Sequence, residues 1–273
     1  DQGRFLGEAL DSVFAQTGVD LKVAVLDGGS GEGSLAVIRR HEAKLSFWRS
    51  APDRGQAAAI NEGIARLQAA DYVGWLNADD VLLPGALERM SAYLDTHREC
   101  VGVFGQAHII DGRGRIVGQF PTRPFSRRAL ARTSIICQPA SLISRRAWEA
   151  VGGLDESLHM CLDYDLWWRL SKLGPIGFLP EFVACSRDHE ATKTRASQDR
   201  LYDEAFALLR QHLGHVPWRW CVNEAAYAWR RGHGGKRASG AWSFLICGWR
   251  AVRQYARNRT TRLAGSLHHG CLP

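Results

Sequence analysis

The chain has 273 residues, 45% of them hydrophobic, which is the composition of a globular protein and excludes a disordered or fibrous one. No run of about 20 apolar residues is present, so no transmembrane helix is predicted. Seven dispersed cysteines without a Cys-x-x-Cys pair argue against a disulfide framework or a zinc site and favour a reducing, cytoplasmic setting. The net charge of the chain is +7, and the positive charge is concentrated between Arg210 and Arg262.

The first hundred residues alternate between helical and extended patterns. Apolar side chains recur at helical spacing over residues 4–16, and similar patterns predict helices at 33–43 and 55–69. Short apolar runs predict strands at 21–26, 45–48, 72–76 and 101–104. Such alternation is typical of a mostly parallel sheet with helices on both faces.

The pattern is less regular in the second part of the chain. The predicted elements are a hairpin turn at 111–114, a strand at 138–143, a helix from 145, a helix at 162–173, an extended segment at 178–185 and helices from 199 onward. We therefore predict two domains: an α/β domain over residues 1–198, and a helical, basic, tryptophan-rich extension over residues 199–273.

Two acidic turns follow predicted strands, where an open α/β sheet binds its ligands. The turn Asn77–Asp80 has two adjacent carboxylates, which are costly to bury unless a cation accompanies them. A hard divalent metal that clamps a diphosphate meets this need, although a plain turn in which Asp80 caps the helix near Pro84 explains the same residues. In the turn Asp27–Ser30, Asp27 could accept hydrogen bonds from a nucleobase or ribose, and a plain turn is again the alternative.

Further blocks extend this pattern along the chain. The ordered blocks are Phe5–Val13, Val25–Ser30, Asp53–Asn61, Trp75–Asp80, Gln138–Ser141, Gly152–Glu156 and Leu162–Trp167. Together they resemble the family-2 inverting glycosyltransferases over about residues 1–195. The resemblance implies a GT-A-type α/β fold, a nucleotide-sugar donor, a divalent metal (Mn²⁺ or Mg²⁺) and a saccharide or lipid-linked acceptor. It also implies a first strand, expected beside residues 21–26, that is missing from the start of this sequence.

The resemblance assigns donor binding to residues on these turns. They are Asp27, Gly28, Asp53, Arg54, Gln56 and Asn77. Asp79 stands at the metal-contacting position, with Asp80 and His189 as further metal candidates, although a lone loop histidine is as often simply solvated. Asn77 replaces the commoner aspartate of the family. It can hydrogen-bond a ribose but adds no charge, so we expect a lower metal affinity.

Asp163 aligns with the catalytic base of the family. An ionised carboxylate beside the acceptor hydroxyl can take its proton as the oxygen attacks the anomeric carbon. The start of a predicted helix favours the charged form of Asp163, but the same position also suits a carboxylate that merely caps its helix.

Two other functions are alternatives to glycosyl transfer. A catalytically impaired binding or scaffold protein on the same fold is favoured by Asn77 and by the missing strand, and is opposed by the retained carboxylates Asp27, Asp79 and Asp163. A sugar nucleotidyltransferase is less favoured, because no glycine-rich basic loop for a triphosphate is present near the start of this sequence.

The C-terminal extension carries an amphipathic pattern that the family does not explain. Its stripe consists of Trp242, Leu245, Ile246, Trp249 and Val252. We expect either a helix packed on the catalytic body or an interfacial helix on an anionic membrane, peripheral at the cytoplasmic face. Because the basic residues are interleaved with tryptophans, an anionic lipid surface is preferred to nucleic acid as the partner.

Overall fold

The computed structural model describes residues 2–189, 192, 197–233 and 247–258. The chain divides into two compact units, each described by itself. The first unit comprises residues 1–127 and 134–196, and the second comprises residues 128–133 and 197–273.

The described strands all belong to the first unit. They are β1 (Ala24–Asp27), β2 (Phe47–Ser50), β3 (Tyr72–Val73), β4 (Val81–Leu82), β5 (Gly102–Ile110), β6 (Ile116–Gln119), β7 (Ser141–Ser144) and β8 (Ile176–Arg187). The α-helices up to residue 189 are α1 (Gly3–Phe14), α2 (Glu32–His41), α3 (Gln56–Arg66), α4 (Ala86–Thr96), α5 (Arg127–Leu130), α6 (Arg145–Val151) and α7 (Leu162–Leu170). α5 lies where the chain first passes into the second unit.

The strands form two sheets. β1 and β2 are a parallel pair, with Asp27 opposite Ser50. The second sheet has the order β3-β7-β5-β8-β4, and β6 pairs with β5 as a hairpin. Of its pairings only β5 with β8 is parallel. The predicted mostly parallel, single central sheet is therefore wrong for the described strands, because strand periodicity identifies a strand without determining the direction of its partner.

Two predicted strands are shorter than expected for local reasons. The strand at 72–76 ends at Val73, and the carbonyl of Trp75 accepts a hydrogen bond from the side chain of Gln138 at 2.6 Å instead of joining a ladder. The strand predicted at 138–143 begins as a 3₁₀ turn, since Pro139 has no N–H to donate to a neighbouring strand.

The core that supports the site lies between α4 and the strands of the second sheet. It contains Leu82, Met90, Leu94, Val103, Ala107, Leu142 and Val183, all buried. α7 is buried on nearly every side, with Leu166, Trp167 and Trp168 without solvent exposure. These tryptophans therefore pack in the core and are not placed to stack on a sugar.

The second unit is helical in its described part, as predicted. α8 (Gln198–Leu213), α9 (Trp218–Gly232) and a helix over residues 247–258, named α10, pack together. Arg250 of α10 forms a hydrogen-bonded ion pair with Glu224 of α9 at 2.6 Å, and Arg210 of α8 donates to Asn258 at 2.8 Å. No described helix is long and apolar enough to cross a membrane. Of the predicted stripe, Trp242, Leu245 and Ile246 lie outside the described residues.

Candidate active site

Asp27 ends β1 as a carboxylate surrounded by donors. Its Oδ2 accepts hydrogen bonds from the N–H groups of Gly29 and Ser30 at 3.1 and 2.9 Å, and from the hydroxyl of Ser50 at 2.5 Å. Burial alone would raise the pKa of Asp27, but the bonds from Ser30, Ser50 and Gly29 outweigh it and lower the pKa. Asp27 is therefore held ionised and in a fixed orientation at the carboxyl end of its strand.

Asp53 and Arg54 follow β2 beside this turn. Gly28 allows the close approach, since a Cβ atom there would lie 3.2 Å from Asp53 Oδ2. Asp53 accepts the N–H of Gly55 at 2.8 Å and so shapes the entry to α3. Arg54 is mostly exposed and pairs with Glu156 at 3.0 Å. An open cleft of about 590 Å³ is lined by both residues but does not include the Asn77–Asp80 turn.

Asn77 connects this region to the acidic turn. Its Oδ1 accepts a hydrogen bond from Gln56 at 2.8 Å, and its Nδ2 donates to Asp80 Oδ2 at 2.9 Å. An aspartate at position 77 could only accept, and would face the Asp80 carboxylate with a second negative charge. The amide therefore suits this turn better than the aspartate that the resemblance leads us to expect.

Asp80 is turned into the protein. One oxygen accepts from Asn77 and the other from the N–H of Arg187 at 2.9 Å. Burial, together with the charge of Asp79, raises the pKa of Asp80 to about 6, although the bonds from Arg187 and Asn77 act to lower it. The capping alternative is wrong for this residue, because Gly85 precedes α4 and no side chain caps it.

Asp79 faces His189, which follows β8. Asp79 Oδ2 lies 3.1 Å from His189 Nε2, and His189 is only 7% exposed. The histidine is thus not a solvated loop residue. It packs against Phe5 of α1, with ring centroids 5.1 Å apart.

A divalent metal fits this pair only in part. Within the described residues, no group of three His, Cys, Asp or Glu side chains is arranged to hold an ion. A carboxylate and an imidazole are suitable ligands for Mn²⁺, and a metal that binds with phosphates ordinarily uses few protein ligands. The donor set therefore suits a metal whose remaining ligands are phosphate oxygens and water.

Asp163 lies in the first turn of α7 and is half-buried. Cys161 is the cap residue, so Asp163 is the second residue of the helix rather than its cap. Its Oδ1 accepts the N–H of Tyr164 at 2.8 Å. Burial raises the pKa of Cys137 well above its ordinary value, and the charges of Asp80 and Asp163 raise it further, so both carboxylates lie within electrostatic reach of this thiol.

Asp165 has a different role from Asp163. It is buried and accepts from Arg169 at 2.6 Å, and Arg169 also donates to the carbonyls of Val151 and Gly153 at 2.8 and 2.7 Å. The ion pair therefore joins α7 to the loop after α6. This ion pair can be predicted from the sequence, because Asp165 and Arg169 are four residues apart on one helix and therefore neighbours on its surface.

The same loop is held from its other side by Asn61 of α3, which sequence reasoning did not select. Asn61 exchanges two hydrogen bonds with the backbone of Leu154, both at 2.9 Å. Gly153 is required here, since its φ is +70° and a Cβ atom would lie 2.6 Å from Asn61 Oδ1. α3 and α7 are thus joined through one loop.

Comparison with known proteins finds a family match. A profile described as glycosyl transferase family 2 matches residues 2–152, more than half of the chain. Chondroitin synthase of Escherichia coli is 29% identical over 177 residues, which are 63% of this chain and 25% of the synthase. The chain thus spans a quarter of the length of this relative.

Solved structures share the fold. TarS of S. aureus has a TM-score of 0.58 at 16% identity, over 85% of this chain and 42% of TarS. A mannosyltransferase from Pyrobaculum calidifontis, solved in complex with GDP-Man and Mn²⁺, has a TM-score of 0.55 at 18% identity, over 99% of this chain and 73% of the mannosyltransferase. At these identities the likeness concerns the fold.

Proposed function

The chain belongs to glycosyl transferase family 2 and has the predicted GT-A fold. From this premise we propose that it transfers a sugar, with inversion, from a nucleotide-sugar donor to a hydroxyl of a saccharide or lipid-linked acceptor. The observation that supports this most is the chain of contacts from Gln56 through Asn77 to the Asp79–Asp80 turn. These contacts support the proposal because they link Gln56 at the start of α3, predicted to bind the donor, to the turn predicted to bind the metal.

Donor binding is proposed for the turns after β1 and β2. Asp27, held ionised, accepts hydrogen bonds from the nucleobase, and Gly28 and Asp53 form the adjacent wall. Gln56 and Asn77 supply neutral amides for the ribose. Arg54, which is mostly exposed, is able to exchange its contact with Glu156 for a phosphate.

Asp79 and His189 are the proposed metal ligands. A bound Mn²⁺ or Mg²⁺ would stabilise the charge that develops on the departing diphosphate. Asp80 was also predicted as a ligand, but both its oxygens are engaged within the protein, and we assign it to shaping the turn.

Asp163 is the proposed general base. As the acceptor oxygen bonds to the anomeric carbon, its proton passes to an Asp163 oxygen, and the bond from the anomeric carbon to the phosphate oxygen breaks on the opposite face. The electron pair of that bond leaves with the nucleoside diphosphate. The position of Asp163 in the first turn of α7 favours the ionised form that this step needs.

The function is tested with purified protein and a panel of UDP- and GDP-sugars. We expect release of nucleoside diphosphate from at least one donor with MnCl₂, and little release with excess EDTA. Equal turnover with EDTA would contradict the metal assignment. Binding of a nucleotide sugar without hydrolysis or transfer to any oligosaccharide acceptor would instead favour the catalytically impaired binding protein.

The second unit presents exposed apolar side chains on two paired helices. Trp218 and Val222, one turn apart on α9, are 44% and 39% exposed. Trp249 and Val252 of α10 are 71% and 52% exposed. The rings of Trp218 and Tyr255 meet at 5.7 Å, which brings the two helices together at this surface. The described part of the predicted stripe is therefore open to solvent.

We propose that this surface binds an anionic membrane. Arg219, Arg253 and Arg257 are exposed on the same two helices, and tryptophan with arginine suits the headgroup region of an anionic bilayer. A membrane-bound enzyme would meet acceptors carried on lipids.

Vesicle binding is expected to depend on these tryptophans. The double variant Trp218→Ser with Trp249→Ser should lose most cosedimentation with vesicles containing anionic phospholipid, and high salt should weaken binding of the natural chain. A matched control is Ile116→Ser with Val117→Ser, which removes two equally exposed apolar side chains from β6. Equal recovery of natural chain in the supernatant with and without anionic lipid would refute the proposal.

A further inference from the structure

Arg187, the last residue of β8, has a side chain that is 1% exposed and makes contacts in four directions. Its guanidinium donates to the carbonyl of Asp79 at 2.8 Å and to the carbonyl of Asp111 at 3.1 Å. It also pairs with Glu8 of α1 at 2.6 Å, and it lies over the ring of Phe5 at 4.5 Å. A buried cation is retained only where such partners compensate its desolvation.

These contacts converge on the proposed metal ligands without using their coordinating atoms. The bond to the Asp79 carbonyl holds the backbone from which that carboxylate projects. The backbone N–H of Arg187 holds Asp80, the next residue in the turn. On its other side, the guanidinium covers Phe5, whose ring packs against His189. One side chain therefore contacts the supports of both Asp79 and His189.

We propose that Arg187 is a positioning residue that sets the separation of Asp79 and His189 for a divalent cation. The inference rests on the proposed function, because it assumes that these two residues hold the metal. The planar fork of arginine reaches three acceptors that diverge from one another, whereas the single ammonium of lysine cannot span them. Supports of this kind, behind a metal ligand, influence metal affinity strongly.

The test measures Mn²⁺ alone, by the electron paramagnetic resonance signal of free Mn²⁺ during titration of the full chain. Arg187→Lys is expected to raise the dissociation constant for Mn²⁺ by roughly ten-fold or more. The matched control is Arg145→Lys. Arg145 is also a largely buried arginine, and it donates to the carbonyls of Ala70, Ile64 and Leu67. We expect this control to lower stability in urea while leaving Mn²⁺ affinity within about two-fold of the natural chain, as for independent sites.

Each outcome separates the inference from its premise. Unchanged Mn²⁺ affinity in folded Arg187→Lys, or equal weakening in both lysine variants, would overturn the positioning role. If the natural chain bound no Mn²⁺, the metal assignment itself would fail, and the inference with it. If Arg187→Lys does not fold, Glu8→Gln provides the same test, because it neutralises a half-exposed partner of the guanidinium. A rise of about two- to three-fold in the dissociation constant is then expected, and no change would overturn the proposal.

Discussion

Asp79→Ala is expected to reduce metal-dependent turnover by roughly 10³-fold, because a metal contributes several kcal/mol to the stabilisation of transition-state charge. In the structure, Asp79 is the carboxylate that faces His189, whereas Asp80 faces inward. Loss of Asp79 would leave one described side chain at the proposed metal position. The measurement is nucleoside diphosphate release from a responsive donor as MnCl₂ is raised.

Asp95→Ala is the control for this experiment. It removes another carboxylate, on α4, which accepts a hydrogen bond from the hydroxyl of Tyr72 at the start of β3. We expect turnover and its Mn²⁺ dependence to stay near those of the natural chain. Turnover of Asp79→Ala comparable with this control would exclude Asp79 as a metal ligand.

Asp163→Asn should reduce transfer by roughly 10²-fold or more while donor binding is retained, since the amide keeps the shape of the side chain and removes its basicity. Asp163 is half-buried at the start of α7 and lies outside the contacts proposed for the donor. Initial rates of transfer to an acceptor, together with equilibrium binding of the donor, distinguish a loss of chemistry from a loss of structure.

Asp165→Asn is the matched comparison for the base. It makes the same chemical change two residues away, at a carboxylate that is buried against Arg169. We expect it to lower the free energy of unfolding, because a buried ion pair loses one charge, while the folded fraction retains transfer. If both variants lowered stability and transfer together, Asp163 would be assigned a structural role instead.

Asn77 stands where the resemblance predicts an aspartate, and this difference bears on whether the site is catalytically active. Asparagine, where the resemblance leads us to expect aspartate, favours an impaired site when the sequence is considered alone. In the folded chain its amide donates to Asp80 and accepts from Gln56, so the substitution is accommodated by specific bonds. The carboxylate of this turn that faces His189 is that of Asp79, and it is retained.

The sequence by itself determined the helices and the order of the acidic turns. Helical periodicity is a local property, since residues three or four apart share a face, and α1, α3 and α7 occur near the residues where that pattern predicts them. Asp27 ends a strand, and the short apolar run before it is also a local signal. The family was also recognisable from the order and spacing of short blocks, and residues 2–152 match its profile.

Only the tertiary structure decided which strands pair and which carboxylate of the Asn77–Asp80 turn faces inward. The direction of β7 and β4 against their neighbours depends on how the chain returns to the sheet, which periodicity does not encode. Asp80 is turned inward by the backbone of Arg187, 107 residues away in sequence. The partners of Arg187 include Glu8, at a separation of 179 residues. Such contacts arise only when distant elements pack together, so the support behind Asp79 and His189 could not be read from local pattern.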